Sequence, residues 1–192
     1  MNQYRPILFN AEMVRAILEG RKTVTRRVVK PQPEGQPTKM GMESCWPGYF
    51  AIQGTPNVIR PPYQPGDILW VRETWGTASD LLGGIPGPTY RADYSDTELR
   101  TLRDKHYIWR PSIHMPREAA RIFLRVKEVT VERLQDCGNA QAKDEGCTCC
   151  SQFARVWDST LKPADRDHYG WEANPWVWVI RFERCIRSAL WS

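Results

Sequence analysis

Eight consecutive residues concentrate reactive groups in this chain: Gly20-Arg21-Lys22-Thr23-Val24-Thr25-Arg26-Arg27. A lysine crowded by cations has its ammonium form disfavoured, so Lys22 should titrate below its ordinary range. An amine poised nearer neutrality can take a proton from a hydroxyl, which makes Thr25 a candidate nucleophile. Arg21, Arg26 and Arg27 keep their protons and would hold a phosphate or a carbonyl oxygen. The plainer reading of the same residues is a basic, solvated strand, its threonines present for β-propensity.

Further groups stand out elsewhere. Glu73 closes the apolar run Ile68-Leu69-Trp70-Val71, either as a site carboxylate or as the salt-bridge partner of an arginine. His114 sits in the block from Trp109 to Arg117 with Arg110, as an acid/base group, a donor to a ligand, or a structural histidine. Cys147, Cys149 and Cys150, with Cys137 upstream, could supply a four-thiolate structural zinc site. Their Cys-x-Cys-Cys spacing is not that of a standard knuckle, and unliganded thiols are the alternative.

The elements that must position these groups follow from local patterns. Met13, Val14, Ile17 and Leu18 recur at helical spacing, and Gly20 stands where a helix C-terminal glycine belongs. After it, Lys22, Val24 and Arg26 alternate with Thr23, Thr25 and Arg27. Lys22 and Thr25 therefore fall on opposite faces of a regular strand and converge only at a turn or bulge. Residues 30–65 are punctuated by proline and glycine and read as an irregular insertion, with a short strand near Gly48–Ile52. Pro65-Gly66-Asp67 turns into a buried strand over 68–75, and 76–88 is a glycine-rich loop. Short strands are predicted at 5–9 and 90–94, with a helix at 96–105. A long alternating strand is predicted over 120–134, a short helix or turn over 135–145, a helix over 153–161 and a last strand over 176–184. With no βαβ alternation and no repeat, one domain spanning 1–192 is expected. Its class is α+β, mainly β, as a small, mostly antiparallel barrel with a few helices at one mouth.

The totals narrow the partners. The chain has 192 residues, a formal net charge of +5 and nine tryptophans, a balance that suits nucleic acid or nucleotides. No apolar run approaches the length of a membrane span, so no membrane partner is expected. The first residues lack the apolar core of a secretory signal, and six cysteines are then expected to be reduced or metal-bound in a cytoplasmic protein.

Gly20 to Arg27, the Pro65-Gly66-Asp67 turn and the long strand ending Arg133-Leu134 together resemble the ASCH domain, similar in fold to the PUA RNA-binding domain. Val71 to Trp75, Arg110 to Arg117 and Asn174 to Val179 resemble the longer form of that family, common in phage and prophage genomes. The resemblance covers most of the chain outside the proline-rich insertion and the glycine-rich loop. It implies a PUA-like barrel. One enzymatic member is an amidohydrolase that deacetylates 4-acetylcytidine with a lysine, a threonine and a glutamate. Carried onto this chain, these are Lys22 and Thr25 from the Gly-Arg-Lys-Thr-x-Thr motif, and Glu145 from Ala142-Lys143-Asp144-Glu145, with Glu73 as the alternative carboxylate. Arg21, Arg26 or His114 would then bind the ribose, a phosphate or the developing oxyanion, and Trp75 or Trp109 would stack on a pyrimidine. The partner implied is a nucleoside or single-stranded nucleic acid, with no cofactor required. Other members of the superfamily are associated with nucleic-acid binding or RNA cleavage, for which His114 with Arg110 and Arg117 would serve.

Overall fold

The computed structural model describes residues 3–77 and 87–186. In chain order the elements are β1 (Tyr4–Leu8), α1 (Ala11–Leu18), β2 (Val24–Val28), β3 (Pro37–Lys39), β4 (Phe50–Ile52), β5 (Val58–Ile59), β6 (Ile68–Arg72) and β7 (Trp75–Thr77). There follow β8 (Pro88–Tyr90), α2 (Asp96–Asp104), β9 (Phe123–Arg133), α3 (Asn139–Asp144), α4 (Cys150–Ser159), α5 (Arg166–Tyr169) and β10 (Trp176–Cys185). The class is α+β, with mostly antiparallel sheets. Helix and strand take about equal shares, where the sequence pattern favoured a mainly β chain. No sheet among the described residues closes into a barrel. No described helix is long and apolar enough to cross a membrane.

The chain forms two compact units. Among the described residues, the first contains 3–20, 68–77, 87–125 and 184–186. Here β1 runs parallel to β6, with Tyr4 opposite Ile68 and Leu8 opposite Arg72. β6 then pairs antiparallel with the start of β9, Ile68 opposite Arg125. Ile68, Trp75, Met115, Ala119, Ala120 and Phe123 form a buried cluster in this unit. α1 begins where the Asn10 side chain accepts from the Met13 amide, and it buries Val14, Ala16 and Ile17. Gly20 ends it at φ +76, a conformation that a Cβ would strain.

The second unit contains Arg21–Asp67 and Val126–Glu183. β2 pairs antiparallel with β10, Val24 opposite Arg181 and Val28 opposite Val177. β10 neighbours β9 on its other side. One face of this sheet packs on α3 and α4, where Val24, Leu134, Cys137, Ala142, Phe153, Trp157, Val177 and Val179 are buried together. Phe50 meets Trp178 edge to face at 5.3 Å.

Several local expectations change. The insertion at 30–65 carries its own antiparallel sheet, β3-β4-β5, because its prolines lie mostly outside the paired positions. The run 68–75 is two strands, broken at Glu73-Thr74. The strand predicted at 90–94 ends at Tyr90 and tightens into a 3₁₀ turn over Arg91–Asp93. Most of the glycine-rich loop lies outside the described residues.

Candidate functional site

β2 is edged by alternating polar groups, and the structure shows where each face leads. Lys22 forms an isolated antiparallel bridge with Glu145. The Thr23 amide donates to Asp144 O at 2.8 Å and the Phe182 amide to Thr23 O at 2.9 Å. These bonds hold the segment as a regular extended strand. The face bearing Lys22, Val24 and Arg26 therefore meets α3 and α4, and the face bearing Thr25 and Arg27 looks the other way.

Glu145 is held by the end of α3. Gly146 takes φ +85 and donates to Lys143 O at 2.8 Å, while Cys147 donates to Ala142 O at 2.9 Å. This pair of bonds is a Schellman motif, with glycine at its left-handed position. Ala142 and Cys147 supply its apolar contact. The carboxylate is thereby aimed at β2.

Four charges then interlock. Lys22 Nζ donates to Glu145 Oε2 at 2.5 Å and to Glu145 O at 3.0 Å. Arg26 Nη1 donates to the other oxygen, Oε1, at 3.1 Å. Arg26 Nε and Nη2 both donate to Glu132 Oε1, at 3.0 and 2.6 Å. The Arg26 guanidinium also lies 5.6 Å from the Phe153 ring centroid. Two cations meet two carboxylates, so the cluster is neutral when all four are ionised, as buried charge requires. The side chains of Lys22 and Glu145 are only 0% and 3% exposed.

Burial dominates the titration of Lys22 and holds its ammonium below the ordinary range, against the attraction and hydrogen bond of Glu145. Arg27 adds to the lowering. Burial also pulls on Arg26, but Glu145, Cys137 and Glu132 outweigh it and raise the guanidinium further. The same buried environment pushes the Cys137 thiol up to about 11.

Of the residues singled out from the sequence, Lys22, Arg26 and Glu145 come together. Arg21 lies at their margin, donating from Nη1 to Gly146 O at 3.1 Å. Thr25 is buried opposite Ile180 and projects from the other face of β2, so the bulge that would turn it toward Lys22 is not formed. Glu73, Trp75, Arg110 and His114 belong to the other compact unit. Glu73 accepts a bidentate pair from Arg121, at 2.9 and 3.0 Å, and Arg121 also donates to Asp93 at 2.8 Å. Burial raises the Glu73 carboxyl despite that pairing. Trp75 pairs with Arg110 in an isolated bridge, with the guanidinium 5.0 Å from its ring centroid. His114 is exposed in a 3₁₀ turn over Ser112–His114.

The four cysteines of the zinc expectation lie in different surroundings. Cys150 Sγ contacts Asn139 Oδ1 at 2.8 Å, Cys137 is buried, and Cys147 packs against the apolar cluster. Among the described residues, no three His, Cys, Asp or Glu are arranged to hold a metal ion.

Sequence reasoning missed Glu132, Arg121 and Asp93. Each is an ordinary charged residue in its local pattern. Glu132 stands 106 positions from Arg26, so only strand pairing reveals it.

No protein-family model, no curated protein and no solved structure matches the chain.

Proposed function

We propose that this protein is an amidohydrolase acting on an acylated pyrimidine nucleoside such as 4-acetylcytidine, with Lys22 and Glu145 as its reacting pair. The observation that carries this reading is that an amine and a carboxylate 123 positions apart, Lys22 and Glu145, meet with both side chains almost fully buried. An amine whose charged form is disfavoured by burial is a better base near neutral pH. In the proposed reaction Lys22 takes a proton from water, and the water oxygen adds to the acetyl carbon. The C–N bond then breaks as that proton passes to the exocyclic nitrogen, releasing cytidine and acetate. Arg26 offsets the charge on the tetrahedral oxygen. Water replaces Thr25 as nucleophile because Thr25 lies on the opposite face of β2. Substrate entry requires the Glu145 end of α3 to move, since the pair is enclosed.

The membership in the ASCH family, the PUA-like barrel, the cytoplasmic setting and a nucleoside partner belong to the same proposal. The antiparallel run of β9, β10 and β2 and the meeting of two separate motifs at Lys22 and Glu145 support it. Incubation with 4-acetylcytidine, followed by chromatography for cytidine, tests it. Lys22→Met and Glu145→Gln should each lower turnover by roughly a hundredfold or more, and Thr25→Val far less. No turnover by the wild-type protein, or turnover that survives Lys22→Met, refutes the proposal. A loss in Thr25→Val as deep as in Lys22→Met would restore the threonine as nucleophile.

The deep burial of Lys22, Arg26 and Glu145, with Glu132 partly exposed at their edge, favours a second reading, in which the cluster is a structural tie in a non-catalytic RNA- or DNA-binding module. Salt-dependent nucleic-acid binding without turnover would support that reading.

A further inference from the structure

We infer that a second site, a cleft along one face of α2 in the first compact unit, binds a nucleoside phosphate. The inference is independent of the Lys22 cluster. The cleft encloses about 390 Å³ and is lined by Arg91, Asp96, Arg100, Arg103, Tyr107 and Trp109, with Leu99 as its apolar contribution. That volume lies in the range of small-molecule sites, roughly 300–1,000 Å³.

The local structure assembles this cleft deliberately. α2 starts on a reciprocal capping box between Ser95 and Glu98 and buries Leu102 on its inner side. Asp96, Arg100 and Arg103 recur along one other face. The helix then ends in a Schellman motif: His106 takes φ 58 and donates to Arg103 O, and Tyr107 donates to Leu102 O, both at 2.9 Å. The chain reverses there and lays Tyr107 and Trp109 beside the arginine face. Arg91 enters from the neighbouring 3₁₀ turn. That turn is fixed by Arg15, whose Nε donates to Ala92 O and Nη2 to Tyr94 O, both at 2.8 Å.

The aromatic wall is braced. Tyr107 and Tyr94 pack against Trp109 at centroid distances of 4.8 and 5.5 Å. The Tyr107 hydroxyl donates to Thr77 O at 3.3 Å and fits only because residue 76 is glycine, where a Cβ would come within 1.9 Å of it.

Arg91, Arg100 and Arg103 are exposed and have no ion-pair partner among the described residues. Three guanidiniums against one carboxylate, Asp96, leave the cleft cationic. Guanidinium forks match phosphate oxygens bidentately, and a half-buried indole beside them offers a stacking surface for a base. An inorganic anion or an acidic peptide would use the arginines and leave the indole idle. A free nucleotide and a single strand of nucleic acid share the chemistry that uses both.

The probes are uridine monophosphate by calorimetry and a short fluorescein-labelled oligouridylate by anisotropy, with inorganic phosphate as competitor. The Arg100→Gln/Arg103→Gln variant should lose roughly tenfold or more in affinity. It should also flatten the salt dependence of oligonucleotide binding by about 0.7 per arginine in log–log slope. Trp109→Leu should weaken binding about fivefold or more, and Trp109→Phe much less. Binding of both probes marks a free-nucleotide site and binding of the oligonucleotide alone marks a strand site; either supports the inference. Binding unchanged in the double arginine variant, or absent for both probes, overturns it. Competition by inorganic phosphate as tight as by uridine monophosphate also overturns it. Lys22→Met should bind as the wild type does, so failure here is separable from failure of the hydrolase reading.

Discussion

Replacing Lys22 by methionine keeps an unbranched side chain in place and deletes one charge from the most deeply buried part of the cluster. Glu145 then retains Arg26 Nη1 at 3.1 Å but loses its Oε2 donor and the donor to its main-chain oxygen. Breaking a buried ion pair costs about 3–5 kcal/mol when the remaining charge is abandoned. Because Arg26 still faces the carboxylate, the low end of that range applies, about 3 kcal/mol. Glu145→Leu leaves two buried cations with only Glu132 between them and should cost more, about 4–5 kcal/mol. The double variant Lys22→Met/Glu145→Leu removes both members of the pair, so it should cost at least about 2 kcal/mol less than the sum. For a chain of this size each kcal/mol moves the melting midpoint by about 2–4 °C. Urea denaturation followed by circular dichroism gives the cycle. Single-variant costs under about 0.5 kcal/mol, or strict additivity, would refute the picture of a tightly coupled enclosed pair. A pH series adds a second check. Between the lowered pKa of Lys22 and its ordinary value near 10.4, the unfolded chain binds more protons than the folded one. Lys22 therefore makes stability rise with pH in that window. The wild-type minus Lys22→Met difference should show this slope, and a flat difference would contradict it.

Cys149 has its thiol pKa lowered by hydrogen bonds from Gln152 and Thr148, while burial holds Cys137 near 11. Mass-spectrometric mapping of iodoacetamide labelling at neutral pH should find Cys149 modified well before Cys137. His106→Gly should relieve the left-handed strain at the end of α2 and raise stability by about 1 kcal/mol in urea titrations. The Glu73 carboxyl is raised by burial, so its contribution to stability is fully present below its unfolded pKa and is lost as pH rises through its folded value. Denaturation from acid to neutral pH should therefore show a steeper decline for wild type than for Glu73→Gln.

Much of the secondary structure is legible in short windows. The apolar spacing of α1 and α4, the alternation of β9 and the glycines after α1 and α3 each depend on neighbours a few positions away. The sequence expectation of α4 at 153–161 shifts to Cys150–Ser159, an end effect of a helix whose first turn carries no strong cap. The break at Glu73-Thr74 was not legible. The run 68–75 reads as one strand until Arg121 draws Glu73 into a bidentate pair. The even share of helix arises likewise, since α3 and α5 are short and gain their stability from packing rather than propensity.

The site divides along the same line. Residue types alone placed a lysine with a disfavoured charge beside arginines, and strand periodicity alone placed Thr25 away from it. That Lys22 meets Glu145 across 123 positions was decided by tertiary structure. The β2–β10 register sets the depth of one residue and the Schellman turn at Gly146 sets the aim of the other. That three of the four charges are deeply buried and that cations match carboxylates also belongs to the fold. Local sequence fixes which groups are near in chain order and which face they share, but solvent exclusion is a property of everything packed around them.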